Sequence, residues 1–469
     1  MNRILLAMCA TAVALNSYAG GLLTNTNQNA AFLRNPARDA VIAIDGVYTN
    51  PAGTAFLEKG FHLSLSWQAA LQKRQITSNF APYKLSGDED GIKYFEGKST
   101  APVIPSFQAV YVFNDKWTAS AQFAIGGGGG KCEFEDGLPM FDKMVGYQLG
   151  SSLGENLPYS LKQSLTGEQY IYGLQIGGTY KINRNISFFA GVRGVLANCS
   201  YTGAITDIEI GGNRAGYYTA LSQQAAAVAQ QAASAGATDL AQKYQEAATK
   251  AGTAAVMMSD YQLDCSQDGL GVTPIIGVDV NLGKLNIAAK YEFRTKINLE
   301  NESNNSANVD ALLSTYANGK KVRFDIPAIL TAGVQYSILP SVRVSAGFHY
   351  YWDKDAKSGD KTLMVDGDNT WEANLGLEYD INDKWLFSVG AQRTQYGFKD
   401  SDMSDISFNI SSTATCIGGA YKFNERMKLN FGYMHSFYND HTVEGAVAGM
   451  NDIYTRKNDV FGLSFDIKF

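Results

Sequence analysis

The chain has 469 residues and a formal net charge of −6, with 18% charged and 12% aromatic residues, 47 Gly and only 10 Pro. A weakly acidic chain without a basic run carries no electrostatic footprint for nucleic acid. The four His (His62, His349, His435, His441) are scattered, and the Cys are spaced too widely for a zinc motif. No metal site, cofactor or catalytic Ser/His/Asp grouping is expected, and the chain reads as a non-enzyme.

The amino terminus, MNRILLAMCATAVALNSYAGG, has Arg3, an apolar stretch from Ile4 to Leu15, and small Ser17 and Ala19 around Tyr18. This is the pattern of a secretory signal peptide over 1–19, cut after Ala19. Cys9 lies inside the apolar stretch, with too few residues before it for a lipoprotein signal. In an exported protein Cys132, Cys199, Cys265 and Cys416 are permitted to pair. No later stretch reaches the ~20 apolar residues of a membrane helix.

Residues 20–60 have mixed polarity, two NPA triplets (Asn35-Pro36-Ala37 and Asn50-Pro51-Ala52) and an apolar patch from Val41 to Ile44. The segment is too long for a tail and too short for a domain with its own core, so it is expected to fill the interior of the structure built by the rest of the chain.

From residue 61 to 469, period-two alternation predicts fourteen strands, near 61–77, 103–113, 116–125, 168–182, 185–205, 270–282, 284–299, 322–338, 341–352, 370–381, 384–398, 412–423, 426–437 and 457–469. Trp371, Ala373, Leu375, Leu377 and Tyr379, for example, alternate with Glu372, Asn374, Gly376 and Glu378. Asn114-Asp115, Asn183-Arg184, Gly283, Leu339-Pro340, Asn382-Asp383 and Asn424-Glu425 read as tight turns. They alternate with long connectors at 79–102, 126–167, 206–269, 300–321, 353–369, 399–411 and 438–456. The chain ends in FGLSFDIKF, with Phe469 as an assembly signal for the barrel assembly machinery. A soluble sandwich or propeller also alternates, but lacks the short-long rhythm and the aromatic carboxyl terminus. The expected fold is all-β: a fourteen-stranded antiparallel transmembrane barrel, monomeric, with both termini periplasmic and multiple passes through a Gram-negative outer membrane.

Several runs carry a family likeness. AFLRNPARDAVIAIDGVYTNPAG resembles the amino-terminal hatch of the FadL/TodX family of outer-membrane transporters for long-chain fatty acids and other hydrophobic compounds. KWTASAQFAIGGGG is similar to that family's third strand, DIPAILTAGVQYSILPSVRVSAGFHYYW to its eighth and ninth, and TWEANLGLEYDINDKWLFSVG to its tenth and eleventh. The resemblance spans nearly the whole mature chain. It implies a lumen hatch over residues 20–60, capture of ligand at two outer loops, a lumen pocket, and sideways exit at a kink in the third strand without ATP or an ion gradient. The implied ligand is a hydrophobic small molecule, in the first place a long-chain fatty acid. The alternative is a structural or adhesive barrel displaying its loops, and an aqueous porin would leave residues 20–60 without a role.

Gly126, Gly127, Gly128, Gly129 and Gly130 are either a lateral gate or a plain start to an external loop; Cys132 after Lys131 excludes a phosphate loop. Asn50, Pro51 and Ala52 are expected against the third strand, with Asn50 bonding carbonyls freed by that glycine run. The longest loop, 206–269, contains an Ala- and Gln-rich stretch readable as two helices broken around Gly236; such helices also serve as solvated caps. Leu312, Leu313 and Tyr316 recur at helical spacing in the next long loop and are candidates for an acyl groove. Arg193, Lys290, Arg294 and Arg343 are inward candidates for an anionic head group, although inward bases also belong to ordinary charge ladders. At the place late in strand five where the family can carry a base, this chain has Ala197-Asn198-Cys199. Cys199 and Cys265, near the outer ends of neighbouring strands, are a disulfide candidate.

Overall fold

The computed structural model describes residues 28–154, 156–359, 361–362, 366–445 and 449–469. The expected signal peptide at 1–19, Cys9 and the first residues of the plug segment lie outside them. One antiparallel sheet closes on itself as β1 (Gly60–Asn79), β2 (Ile92–Val112), β3 (Trp117–Phe134), β4 (Tyr159–Lys181), β5 (Ile186–Ile210), β6 (Tyr261–Asn281), β7 (Leu285–Glu292, resumed at Asn298–Ser303), β8 (Lys321–Arg323, resumed at Ile329–Leu339), β9 (Val342–Tyr351), β10 (Thr370–Asp380), β11 (Trp385–Gln395), β12 (Ser412–Asn424), β13 (Met427–Tyr438) and β14 (Asn451–Lys468). Fourteen strands therefore form the wall, with a short extra strand, His441–Glu444, folded onto β14.

Local chemistry sets this path. At four short turns an Asn folds back on its own backbone: Asn114, Asn183, Asn382 and Asn424 each accept a bond from a main-chain N–H two residues on, at 2.8–2.9 Å. Such side chains mimic a turn's backbone bond and tolerate its angles. Closure runs from His62↔Lys468 to Asn79↔Asn451, and the Phe469 N–H donates to the Phe61 carbonyl at 2.8 Å. The alternation sorts cleanly: Leu270 is 75% and Leu375 64% exposed on the outer face, whereas Ser64, Gln108 and Asn374 are at most 1% exposed within. An apolar band outside and polar side chains inside, in a closed sheet with every strand paired, is how a β-protein crosses a bilayer. Among the described residues no helix is long and apolar enough to cross. Trp117–Tyr180 and Trp385–Tyr421 ring pairs, at 4.7 and 4.6 Å, mark the short-turn end as an interfacial aromatic girdle.

The wall is taller than the periodicity predicts. β4, β5 and β6 hold 23, 25 and 21 residues, well beyond the ~9–11 that span the hydrocarbon. Their outer ends stand in water, where no lipid selects apolar residues on one face, so the sequence signal fades while the ladder continues. The same cause corrects the end of β3: the strand runs through the five glycines to Phe134 instead of stopping at residue 125.

Candidate functional site

Residues 28–57 lie inside the barrel and are buried for most of their length. The short helix Ala30–Arg34 starts at Asn29, whose Oδ1 accepts from the Ala31 N–H at 3.0 Å. Neighbouring strands present glycine to this segment, in registered pairs Gly333↔Gly347, Gly376↔Gly390 and Gly418↔Gly432, with Gly462 beside Gly432. A Cβ at 432 or 418 would stand 2.8 Å from the Leu33 or Arg34 Cβ, and one at 333 would stand 2.7 Å from that of Asp39. At 376 and 390 it would collide with Asn35 and Pro36. The wall is hollowed to the shape of the plug.

Charge completes the fit. Arg34 Nη1 lies 2.6 Å from Glu378 Oε1, and Arg38 pairs with Asp45 and reaches Glu378 at 3.4 Å. His349 bridges Asp39 of the plug, at 2.9 Å, to Glu372 of β10, at 3.0 Å. Asn286 Nδ2 donates to the Ala40 carbonyl at 2.8 Å and Gln175 to the Val47 carbonyl at 2.7 Å. The NPA triplet sits against β4 to β6: Asn50 Nδ2 donates to Asp279 Oδ2 at 2.5 Å, Thr179 to the Pro51 carbonyl at 3.0 Å, and Ser187 to the Ala52 carbonyl at 2.7 Å. Asn50 therefore serves a carboxylate on β6 and not the backbone of β3. The space left between Tyr48, Asp39, Lys290 and His349 is about 20 Å³, room for a water and no more.

None of the four basic candidates offers an unpaired charge. Arg193 lies 2.6 Å and Lys290 2.7 Å from Glu292, Arg343 lies 2.6 Å from Asp380, and Arg294 bonds the Asp355 carbonyl beside Asp325. Alternation shows that these bases point inward but not which carboxylate faces them. The disulfide candidate is also corrected. Both cysteines are free; Cys199 stands opposite Gln267 and Cys265 opposite Tyr201, a diagonal relation that leaves ~7–8 Å between such positions, too far for a bond.

At the third strand the wall itself is broken. The β2–β3 ladder runs from Val112↔Thr118 to Ser106↔Ala124, stops, and resumes at Thr100↔Lys131. Residues 101–105 and 125–130 thus face each other unpaired. On the β2 side Pro102 and Pro105 have no N–H to give. On the β3 side Gly128 and Gly130 take φ of +96° and +67°, closed to a side chain, and the ladder to β4 also skips there. The edges stay close, since a Cβ at 130 would lie 3.3 Å from the Ala101 Cβ. The expected gate holds the glycines but not the prolines, although two Pro within one strand are a signal of a broken ladder in the sequence itself.

The outer half of the lumen is apolar. Leu138 and, on the short helical turns over 139–153 that follow it, Phe141, Val145 and Leu149 pack onto Ile76, Phe95, Leu165, Ile171, Val195 and Tyr201 of the wall. Leu312 and Leu313 join this cluster and Tyr316 stacks edge-on to Tyr201 at 5.5 Å, so the three belong to a closed apolar core and not to an open groove. The long loop carries antiparallel helices Ala215–Ser234 and Thr238–Met257, joined through Gly236 at φ +76°. Polar ties hold the cover: Lys93–Asp142 at 2.9 Å, Lys143–Asp452 at 2.7 Å, and Asp405, which accepts from Tyr454 and the Met140 N–H at 2.8 Å each. Burial, and then the neighbouring Asp452 charge, pushes the Asp405 carboxyl up to about 6.

A closed membrane barrel of fourteen strands with a filled inner lumen, an apolar outer lumen and an interrupted third strand defines a plugged channel with a break in its side. No protein-family model and no curated protein matches the chain. Solved structures do. A Pseudomonas aeruginosa FadL homologue superposes with a TM-score of 0.64 at 13% identity, covering 96% of this chain and 99% of that one. The P. putida toluene transporter TodX gives 0.56 at 14% identity, covering 91% and 94%, and the Ralstonia pickettii toluene transporter TbuX 0.55 at 14%, covering 94% and 98%. The likeness is one of fold: this chain has the FadL/TodX architecture from plug to last strand.

Proposed function

We propose that this protein admits hydrophobic small molecules through the outer membrane, receiving them in the apolar outer lumen and releasing them sideways between β2 and β3. The break in the β2–β3 ladder carries the reading. It adjoins the apolar half of the interior, while the buried plug, hydrogen-bonded to the wall, fills the inner half and blocks a straight path to the periplasm. An apolar solute gains ~25 cal/mol per Å² by staying out of water, so a side exit into lipid suits it better than an aqueous pore. The likeness to FadL and to toluene transporters supports the ligand class, and fatty acids are its first members to test.

A reversible lock tests the exit. Cysteines at Thr100 and Lys131, the opposed pair at the outer end of the break, in a Cys132→Ser background, should cross-link the two edges on oxidation. Uptake of a labelled hydrophobic compound should then fall at least tenfold and return on reduction. Undiminished uptake by the cross-linked barrel would exclude this route.

A further inference from the structure

Among the described residues, the buried basic side chains that point into the lumen have acidic partners, with one exception at the closing seam. Arg74 of β1 and Arg456 of β14 stand directly opposite each other, both on the inward face. Arg74 is half-buried and Arg456 is 8% exposed. Among the described residues neither forms an ion pair. Each guanidinium holds five N–H donors, and what they meet is neutral. Arg74 donates to the Ile406 carbonyl at 3.0 Å and to Gln72 Oε1 at 3.5 Å; Arg456 donates to the same Gln72 oxygen at 3.1 Å and to the Phe408 carbonyl at 3.4 Å. The Arg456 Nε is buried with no hydrogen-bond partner. Phe408 lies under Arg74 at 5.4 Å and Tyr438 under Arg456 at 5.2 Å.

Two like charges side by side in an apolar setting repel, and neither sheds its proton, since arginine stays charged under all ordinary conditions. The arrangement is stable when an anion sits between the forks, because planar guanidinium matches a carboxylate oxygen for oxygen. What surrounds the pair fixes the rest of the ligand: Phe408, Ile76, Phe95 and Tyr454 belong to the apolar cluster of the outer lumen. Nothing in this setting suits a polyanion.

We infer that Arg74 and Arg456, with Gln72 between them, form a carboxylate-binding site at the β1–β14 seam, for amphiphilic acids whose apolar body lies in the outer lumen. The inference rests on the proposed transport function and narrows it. It separates this chain's ligand from neutral hydrocarbons, and it places the charge contact at the seam and not at Arg193, Lys290, Arg294 or Arg343, whose charges are already met.

The test compares decanoate with decanol, labelled and at a pH where the acid is ionised, by equilibrium dialysis against the full-length protein in a neutral detergent. The wild type should bind decanoate at least about tenfold more tightly than decanol. R456Q and R74Q should each remove about tenfold of decanoate affinity and leave decanol binding unchanged, as the loss of a charge-assisted pair requires. Heat-modifiable migration checks that each variant is folded, and R74Q changes the less buried member, so it tests the site should R456Q not assemble. Equal binding of both probes by the wild type would overturn the site and leave the transport reading standing. Equal weakening of both probes in the variants would also overturn it, reducing the arginines to anchors for the 399–411 loop. Binding of neither probe would end both readings.

Discussion

The short-turn half of the barrel interior is filled by residues 28–57, held by ion pairs such as Arg34–Glu378 and by glycines in the wall. The outer half is filled by Leu138, Phe141, Phe408 and their neighbours, held by apolar contact. Buried charges accept one arrangement, because each unmatched group costs its full desolvation. Apolar contact has no direction, so its members exchange for a guest of similar character at little cost. A channel for greasy molecules needs both: one region that does not yield and one that does.

The largest effect is expected at Glu378. E378A leaves Arg34 and Arg38 buried without their shared carboxylate, which should cost about 3–5 kcal/mol. The expected readout is a lower temperature for loss of the folded band on heating; an unchanged temperature would mean that the plug is not held by charge. G376V drives a side chain into Asn35 and should cost about 1–3 kcal/mol, with the barrel intact but the plug displaced. Ion-conducting events in planar bilayers, absent from the wild type, would show it, and silent bilayers would argue that the groove is incidental.

The outer half responds to pH more gently. Asp405 has its pKa raised from 3.8 to about 6, so the neutral form is favoured in the folded state. Its contribution is fully present below about pH 4 and is lost as pH rises through 6. Hydrogen exchange of residues 399–411, corrected for intrinsic rates, should be slower at pH 5 than at pH 7.5. D405N should flatten that difference, and an equal difference in D405N would assign it to other groups.

Strand number, turn positions and the plugged barrel were legible in the sequence, because lipid outside and polar groups inside impose a period of two, and because Asn at a turn bonds its own backbone. The upper wall was not legible, since strands such as β5 continue beyond the lipid that creates the pattern. At the candidate site, Gly128 and Gly130 were readable as a weak place in the wall, and Pro102 and Pro105 were readable as a flaw in a strand, but only the β2 register sets the two flaws across from each other. The pairing of Arg193 with Glu292 joins residues 99 positions apart, and no local pattern records it. Arg74 and Arg456 were hidden for the same reason: their shared isolation is a property of the seam.

Asn29 ties the plug to both sides of that seam. Its amide donates to Ser64 of β1 and Gln108 of β2 at 3.0 Å, and its oxygen accepts from Ser464 of β14 at 2.8 Å, across 435 residues of chain. Of the described elements, the earliest in the chain thus bonds to the latest. Contacts so distant form late, after the loop entropy between them has been spent. This corner of the plug is therefore complete only where the two edges of the cylinder have met, so the bonds of Asn29 record closure of the wall as well as seating of the plug.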